Sequence, residues 1–316
     1  MLVSLLVNHA KGREIEIYVL ATHLPEEDRR KIEISLRENR PDFDLASLHW
    51  LSPSLEIFQG LPITHHADIE VYSRLLAPRV LPEHYDKIIY LDCDMVILTD
   101  LSPLYDSMRD DSAIHAVRDQ IAHVSDFEGV FNYAELGIPP KTHYFNSGVV
   151  LINLKCWREQ NITERIITYL KRYQGSVWWW DQGGMNAILY DSWAEIDPVW
   201  NQMRFVLFPK IWEQSGQSMA DRKRTLYHPK IVHYTTHEKP WIVCPFPGYS
   251  YFFKYLEKTG YRGLFKGPRL EHIIGFRLNY ILWRAKIFLF WKRSPQDFLR
   301  VFKRLVSRKT SSLTKH

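Results

Sequence analysis

Two carboxylates, Asp92 and Asp94, stand two residues apart, directly after the apolar run at 88–91 and directly before a second apolar run at 95–98. Carboxylates that leave the carboxyl end of a buried strand sit where open α/β sheets bind their ligands. If the chain stays extended there, alternation points both side chains the same way and makes an oxygen site suited to Mg²⁺ or Mn²⁺. Two reactions fit such a site. In one, the ion neutralises charge on the departing phosphate of a nucleotide sugar. In the other, Asp92 attacks phosphorus and Asp94 serves as acid or base, because residues 92–96 also read DxDxV. The plain alternative is a polar strand end, since Asp is common in turns.

Such a site needs elements to hold it. Residues 15–20 (IEIYVL) are short, apolar and β-branched, and Pro25, Glu26 and Glu27 then open a polar helical stretch to about residue 38. Residues 66–77 carry a helical pattern through Ile69, Tyr72, Leu75 and Leu76, Pro82 breaks it, and residues 87–91 (KIIYL) give a buried strand. Further strands are expected at 113–117, 148–153 and 231–234, with helices at 163–173 and 181–190. This alternation predicts an α/β sandwich with a mostly parallel sheet.

The 316-residue chain is long enough for a sizeable core, and 46% hydrophobic with 24% charged residues excludes collagen-like, low-complexity and disordered classes. Cys93, Cys156 and Cys244 form no CxxC pair, so neither a zinc site nor a disulfide framework is expected. Reduced thiols in a cytoplasmic chain follow. Residues 1–7 lack the basic start and small-residue cleavage site of a secretory leader.

Charge is divided unevenly. Residues 269–316 hold twelve Lys or Arg against Glu271 and Asp297, a net +10, which leaves residues 1–268 at −5. In the basic part, Leu270, Ile273, Ile274, Leu278, Ile281 and Leu282 follow helical spacing beside Trp283 and Trp291, and Phe298, Phe302 and Leu305 repeat the pattern. The most apolar stretch, 278–291, contains Arg284 and Lys286 and falls short of the roughly 20 residues that cross a bilayer. It is suited to lying on an anionic membrane surface, and its density of large apolar residues argues against a nucleic-acid arm. The expected division is therefore 1–268 as the folded domain and 269–316 as a basic amphipathic tail, holding the protein peripherally on the inner face of the cell membrane.

Five segments carry a resemblance. HADIEVYSRLLAPRVLP (66–82), KIIYLDCDMVILTDLSPLYD (87–106), YFNSGVVLINLKCWRE (144–159), DQGGMNAIL (181–189) and VHYTTHEKPW (232–241) are similar, in order and spacing, to the signatures of family 8 glycosyltransferases, which include enzymes that build bacterial lipopolysaccharide. The resemblance implies a GT-A fold and a retaining transfer of glucose or galactose from UDP-glucose or UDP-galactose to a saccharide acceptor in lipopolysaccharide or another cell-surface glycan. It implies dependence on Mn²⁺, with Mg²⁺ as a substitute. Asp92 and Asp94 match the metal ligands, and His233 matches the histidine that completes them; by residue type alone His233 reads as a core histidine. Arg74 and Lys239 match cations directed at the donor, with Cys93 and Thr236 in the same donor site. Asn146, Asp181 and Gln182 match positions that hold the donor sugar, the last two being the catalytic candidates. Asp119 and His66 match acceptor-side positions. Retention follows either from double displacement through Asp181 or Gln182 or from same-face attack, and same-face attack is favoured because an amide is a poor nucleophile.

The chain departs from the family pattern in places. The resemblance implies a first strand and nucleoside-binding loop ahead of the helix that residues 1–8 resemble, so a late start site or a truncated, non-catalytic saccharide- or partner-binding protein is the alternative reading. Thr236 stands in place of a glycine and Gly183 in place of an acidic residue. Trp178, Trp179 and Trp180 precede Asp181 as either a sugar-stacking surface or core.

Overall fold

The computed structural model describes residues 1–63, 68–235, 239–241 and 248–263. The predicted basic tail, His66 and Thr236 lie outside the described residues. The described strands are β1 (Ile17–Leu20), β2 (Leu48–Leu51), β3 (Lys87–Leu91), β4 (Met95–Ile97), β5 (Ile114–His123), β6 (His143–Asn153), β7 (Trp193–Glu195) and β8 (Ile231–His233). They form three ladders, β1–β2, β3–β6–β5–β7 and β4–β8.

The α/β architecture is as the alternation predicts, but strand direction is not. Of the five described pairings, β1–β2 and β5–β7 are parallel, whereas β3–β6, β5–β6 and β4–β8 are antiparallel. Periodicity reports burial and cannot report direction. The central strand β6 shows why it reads as a continuous apolar run: Val149 and Leu151 face one core, Val150 and Ile152 the other, and all four are buried.

Helices cover both faces. The helix Leu2–Asn8 lies against β4, where the Ile97 amide donates to Ser4 Oγ (3.0 Å) and Asn8 Nδ2 donates to the Ile97 carbonyl (3.0 Å). Arg40 donates to the carbonyls of Leu6 and His9 at the carboxyl end of that helix, where backbone acceptors run short of amide donors. On the other face, the helix Ile162–Arg172 buries Ile162, Ile166, Ile167 and Leu170 at helical spacing, and the helix Trp180–Ile188 packs beside it. The segment expected as a helix at 66–77 is a 3-10 helix over Ile69–Leu76, leading directly into the short helix Ala77–Val80. Among the described residues no helix is long and apolar enough to cross a membrane.

Candidate active site

β3 delivers Asp92, and the chain then bends through 92–94 before entering β4, whose Met95, Val96 and Ile97 are all buried. The two carboxylates therefore converge at a bend anchored on both sides, and not by strand alternation. β4 pairs antiparallel with β8 so that Met95 stands opposite His233. That register is what carries His233, 139 positions later in the chain, to the carboxylates. Its Nε2 lies 3.3 Å from Asp94 Oδ1 and 3.7 Å from Asp92 Oδ2.

β6 supplies the opposite wall. The Asp92 amide donates to the Gly148 carbonyl (2.9 Å), extending the β3–β6 ladder to the bend. Between the pairs Ala116↔Val150 and Val117↔Asn146, β6 bulges away from β5 and brings Ser147 to Gln182 and Arg74 and Gly148 to the carboxylates. Gly148 has to be glycine there, because a Cβ would stand 2.2 Å from His233 Cε1 and 2.9 Å from Asp92 Oδ2.

Asp92, Asp94 and His233 offer ligand atoms within 4.8 Å of one another. Two carboxylates and an imidazole suit a divalent first-row ion, and the surroundings prepare the imidazole for it. His233 Nδ1 lies 2.9 Å from Asn201 Oδ1, to which a proton on Nδ1 is donated, while Asn201 Nδ2 donates to Asn146 Oδ1 at 2.8 Å. The amide orientation thus holds a proton on Nδ1 and makes Nε2, which faces the carboxylates, the ring nitrogen that would ligate a metal.

Cations close the site. Arg74, buried, donates to Asp92 Oδ1 at 2.8 Å and to the Ser147 carbonyl, and its Nε lies 2.8 Å from Asp181 Oδ2 without the alignment of a hydrogen bond. Its guanidinium also sits over the Tyr90 ring, 4.5 Å from the centroid, and the Tyr90 hydroxyl donates to Asp92 Oδ1 at 3.1 Å. Lys239 donates to Asp94 and to the Tyr234 carbonyl. Burial alone would raise the Asp94 carboxyl, but His233 and Lys239 outweigh it and hold it well below the usual carboxylate range. Asp181 goes the other way: burial pushes it up to about 6 although Arg74 opposes the shift.

The helix Trp180–Ile188 is fixed by Asn186, whose side chain mimics a neighbouring strand by accepting from the Phe145 amide and donating to the Phe145 carbonyl, both at 2.9 Å. One turn earlier, Gln182 Oε1 accepts from the Ser147 amide (2.9 Å) and Asn146 Nδ2 (3.2 Å), and its Nε2 donates to Asp119 Oδ2 (3.4 Å). Asp119, on β5, also accepts from Asn146 Nδ2 (2.9 Å), and burial raises its carboxyl. A continuous chain of hydrogen bonds therefore runs from His233 through Asn201 and Asn146 to Asp119 and Gln182.

Arg74, Asp92, Asp94, Asn146, Asp119, Asp181, Gln182, His233 and Lys239, all singled out in the sequence, come together here; Cys93, at the bend, is exposed. Sequence reasoning missed Tyr90, Ser147, Asn186 and Asn201. Ser147 is within reach as part of the FNSG run, whereas Asn201 lies in a segment with no motif.

The family model for Glycosyl transferase family 8 matches residues 1–243. The chain belongs to glycosyltransferase family 8. Family membership takes the place of the phosphatase alternative. General stress protein A of Bacillus subtilis (strain 168) is 29% identical over 244 residues, 76% of this chain and 81% of that protein. Lipopolysaccharide 1,2-glucosyltransferase of Escherichia coli (strain K12) is 27% identical over 231 residues, 70% of this chain but 64% of that protein, so the chain spans somewhat less than two thirds of its length. Among solved structures, the galactosyltransferase LgtC in complex with donor and acceptor sugar analogs superposes with a TM-score of 0.68 at 25% identity, covering 84% of this chain and 91% of that one. The fold of this family 8 chain is GT-A.

Proposed function

We propose that the protein transfers glucose or galactose from a UDP-sugar to a saccharide acceptor, with retention of configuration and with Mn²⁺ held by Asp92, Asp94 and His233. The observation that carries this is the juxtaposition of that ligand set with Arg74 and Lys239, two cations beside the position a departing diphosphate would take. Bound there, the ion would supply Lewis-acid neutralisation of the leaving phosphate charge. Arg74 and Lys239 would add fixed positive charge where negative charge develops, which is the largest electrostatic change in the reaction.

Asn146, Asp181 and Gln182 would hold the donor sugar's hydroxyls, and Asp119, with His66, the acceptor. The bond from C1 to the UDP oxygen breaks as the acceptor oxygen bonds C1 on the same face, and the acceptor proton passes to the departing diphosphate. Two contacts favour this route over double displacement. The carbonyl oxygen of Gln182 is already engaged by Ser147 and Asn146, and the charge of Asp181 is paired with Arg74, which lowers its nucleophilicity. The relative named a lipopolysaccharide glucosyltransferase supports a cell-surface glycan as the product. The division into a catalytic domain at 1–268 and a tail at 269–316 on the inner membrane face rests on the charge and apolar spacing of the sequence.

Calorimetric titration of UDP with and without Mn²⁺, followed by transfer assays with UDP-glucose and UDP-galactose, tests the proposal. Metal-dependent UDP binding is expected, and its abolition in Asp92→Ala. UDP binding that ignores the metal, or full transfer by Asp92→Ala, would overturn it.

A further inference from the structure

Two aromatic side chains face solvent on separate loops that lead from segments bearing the site. Phe127 is 84% exposed and Trp178 43%, yet their ring centroids are 5.5 Å apart at an interplanar angle of 49°. Large apolar rings that meet in water rather than in the core call for an explanation. Both loops continue directly from the segments that carry the centre: β5 bears Asp119 and runs on to Phe127, and Trp178 precedes Asp181 and Gln182 by three and four residues.

The backbone holds the pair in place at a cost. Trp179 and Trp180 have φ of 60° and 47°, a left-handed conformation that bulky residues adopt only when their surroundings impose it. Gly183 permits it, since a Cβ there would lie 2.1 Å from the Trp178 carbonyl oxygen. The acidic residue expected at that position would force the tryptophan segment off the helix. Phe127 is set in the same manner. It occupies a turn closed by the Val130 amide on the Val124 carbonyl (2.8 Å), and a Cβ on Gly129 would meet that carbonyl oxygen at 2.4 Å.

We propose that Phe127 and Trp178 form a platform for the second sugar ring of the acceptor, one residue removed from the ring whose hydroxyl reacts; this rests on the saccharide transfer proposed above. The axial C–H bonds of a pyranose carry slight positive charge that matches the negative face of an aromatic ring. Asp126 and Glu128 flank Phe127 in the turn, offering acceptors to sugar hydroxyls while repelling an anionic lipid headgroup. A rigid two-ring surface binds such a ligand with little ordering cost.

The test is titration of methyl β-lactoside and methyl β-cellobioside against methyl β-galactoside and methyl β-glucoside, in the full chain with UDP and Mn²⁺. A disaccharide preference of roughly tenfold is expected. Phe127→Ala and Trp178→Ala should each erase it without changing monosaccharide affinity or UDP binding, and Trp178→Phe should restore it. Equal affinities in the unaltered chain, no disaccharide binding, or a preference that survives both alanine variants would overturn the platform. So would variants that keep the preference and instead lose sedimentation with anionic vesicles, which would make the rings a lipid contact. Failure of UDP binding alone would count against the transfer reaction and leave the disaccharide preference standing.

Discussion

At the scale of single residues, the site depends on side chains that touch no ligand directly. Asn201 is a positioning residue: it orients His233 through Nδ1 and is itself oriented by Asn146. Loss of such a partner typically weakens metal binding by about 10–100-fold. Asn201→Ala is expected to weaken Mn²⁺ binding by that amount, measured by titrating the metal in the presence of UDP, while His233→Ala removes it. Asp181 makes a prediction about pH. Its carboxyl is raised from 3.8 to about 6, so between those values the folded state holds a proton that the unfolded state has released. Stability from this group is therefore present at low pH and falls as pH rises toward 6. In metal-free protein, the Tm difference between the native chain and Asp181→Asn should change with pH across this window and level off above it. A difference that stays constant from pH 4 to 7 would show that Asp181 titrates normally.

At the scale of elements, the helix Trp180–Ile188 matters because it carries both catalytic candidates, and one amide holds it to β6. Asn186 makes two hydrogen bonds to Phe145, both buried. Replacing it with Leu keeps the volume but leaves that backbone pair unpartnered, at a cost of about 1–3 kcal/mol for each group left unsatisfied. Urea unfolding should show the loss, and transfer should fall further than stability explains because Gln182 moves with the helix. The same helix shows how legible the chain was. Residues 181–190 read as a helix from their pattern, and the structure has one at Trp180–Ile188. Its left-handed entry was hidden, since three consecutive tryptophans say nothing about φ until Gly183 is seen against the Trp178 carbonyl. The bend at 92–94 was hidden for a related reason: two apolar runs with polar residues between them read as one strand or two.

For the whole molecule, we propose that the charge division separates two tasks. The body carries the site and the net −5, and residues 269–316 carry +10 interleaved with Trp, Phe, Leu and Ile. Each basic residue near an anionic surface contributes about 1 kcal/mol, an attraction that salt screens. The full chain should therefore sediment with vesicles containing anionic lipid at low salt, much less at high salt, and hardly at all with neutral vesicles. Equal sedimentation with both lipid types would remove the electrostatic role of the tail.

The sequence by itself marked most of the residues that gather at the site, because the DCD, FNSG, DQ and VHY…KPW runs each place chemistry-bearing side chains within a few positions of one another. It also determined the α/β class and the family. Tertiary structure alone decided the direction of the strands, the β4–β8 register that carries His233 to Asp92 and Asp94, and the supporting roles of Asn201, Asn186, Gly148 and Gly183. Those depend on pairings between segments far apart in the chain, such as Asn201 with Asn146 across 55 positions and Phe145 with Asn186 across 41. A local pattern records what a residue prefers; which neighbour it meets is settled only when the sheet closes around it.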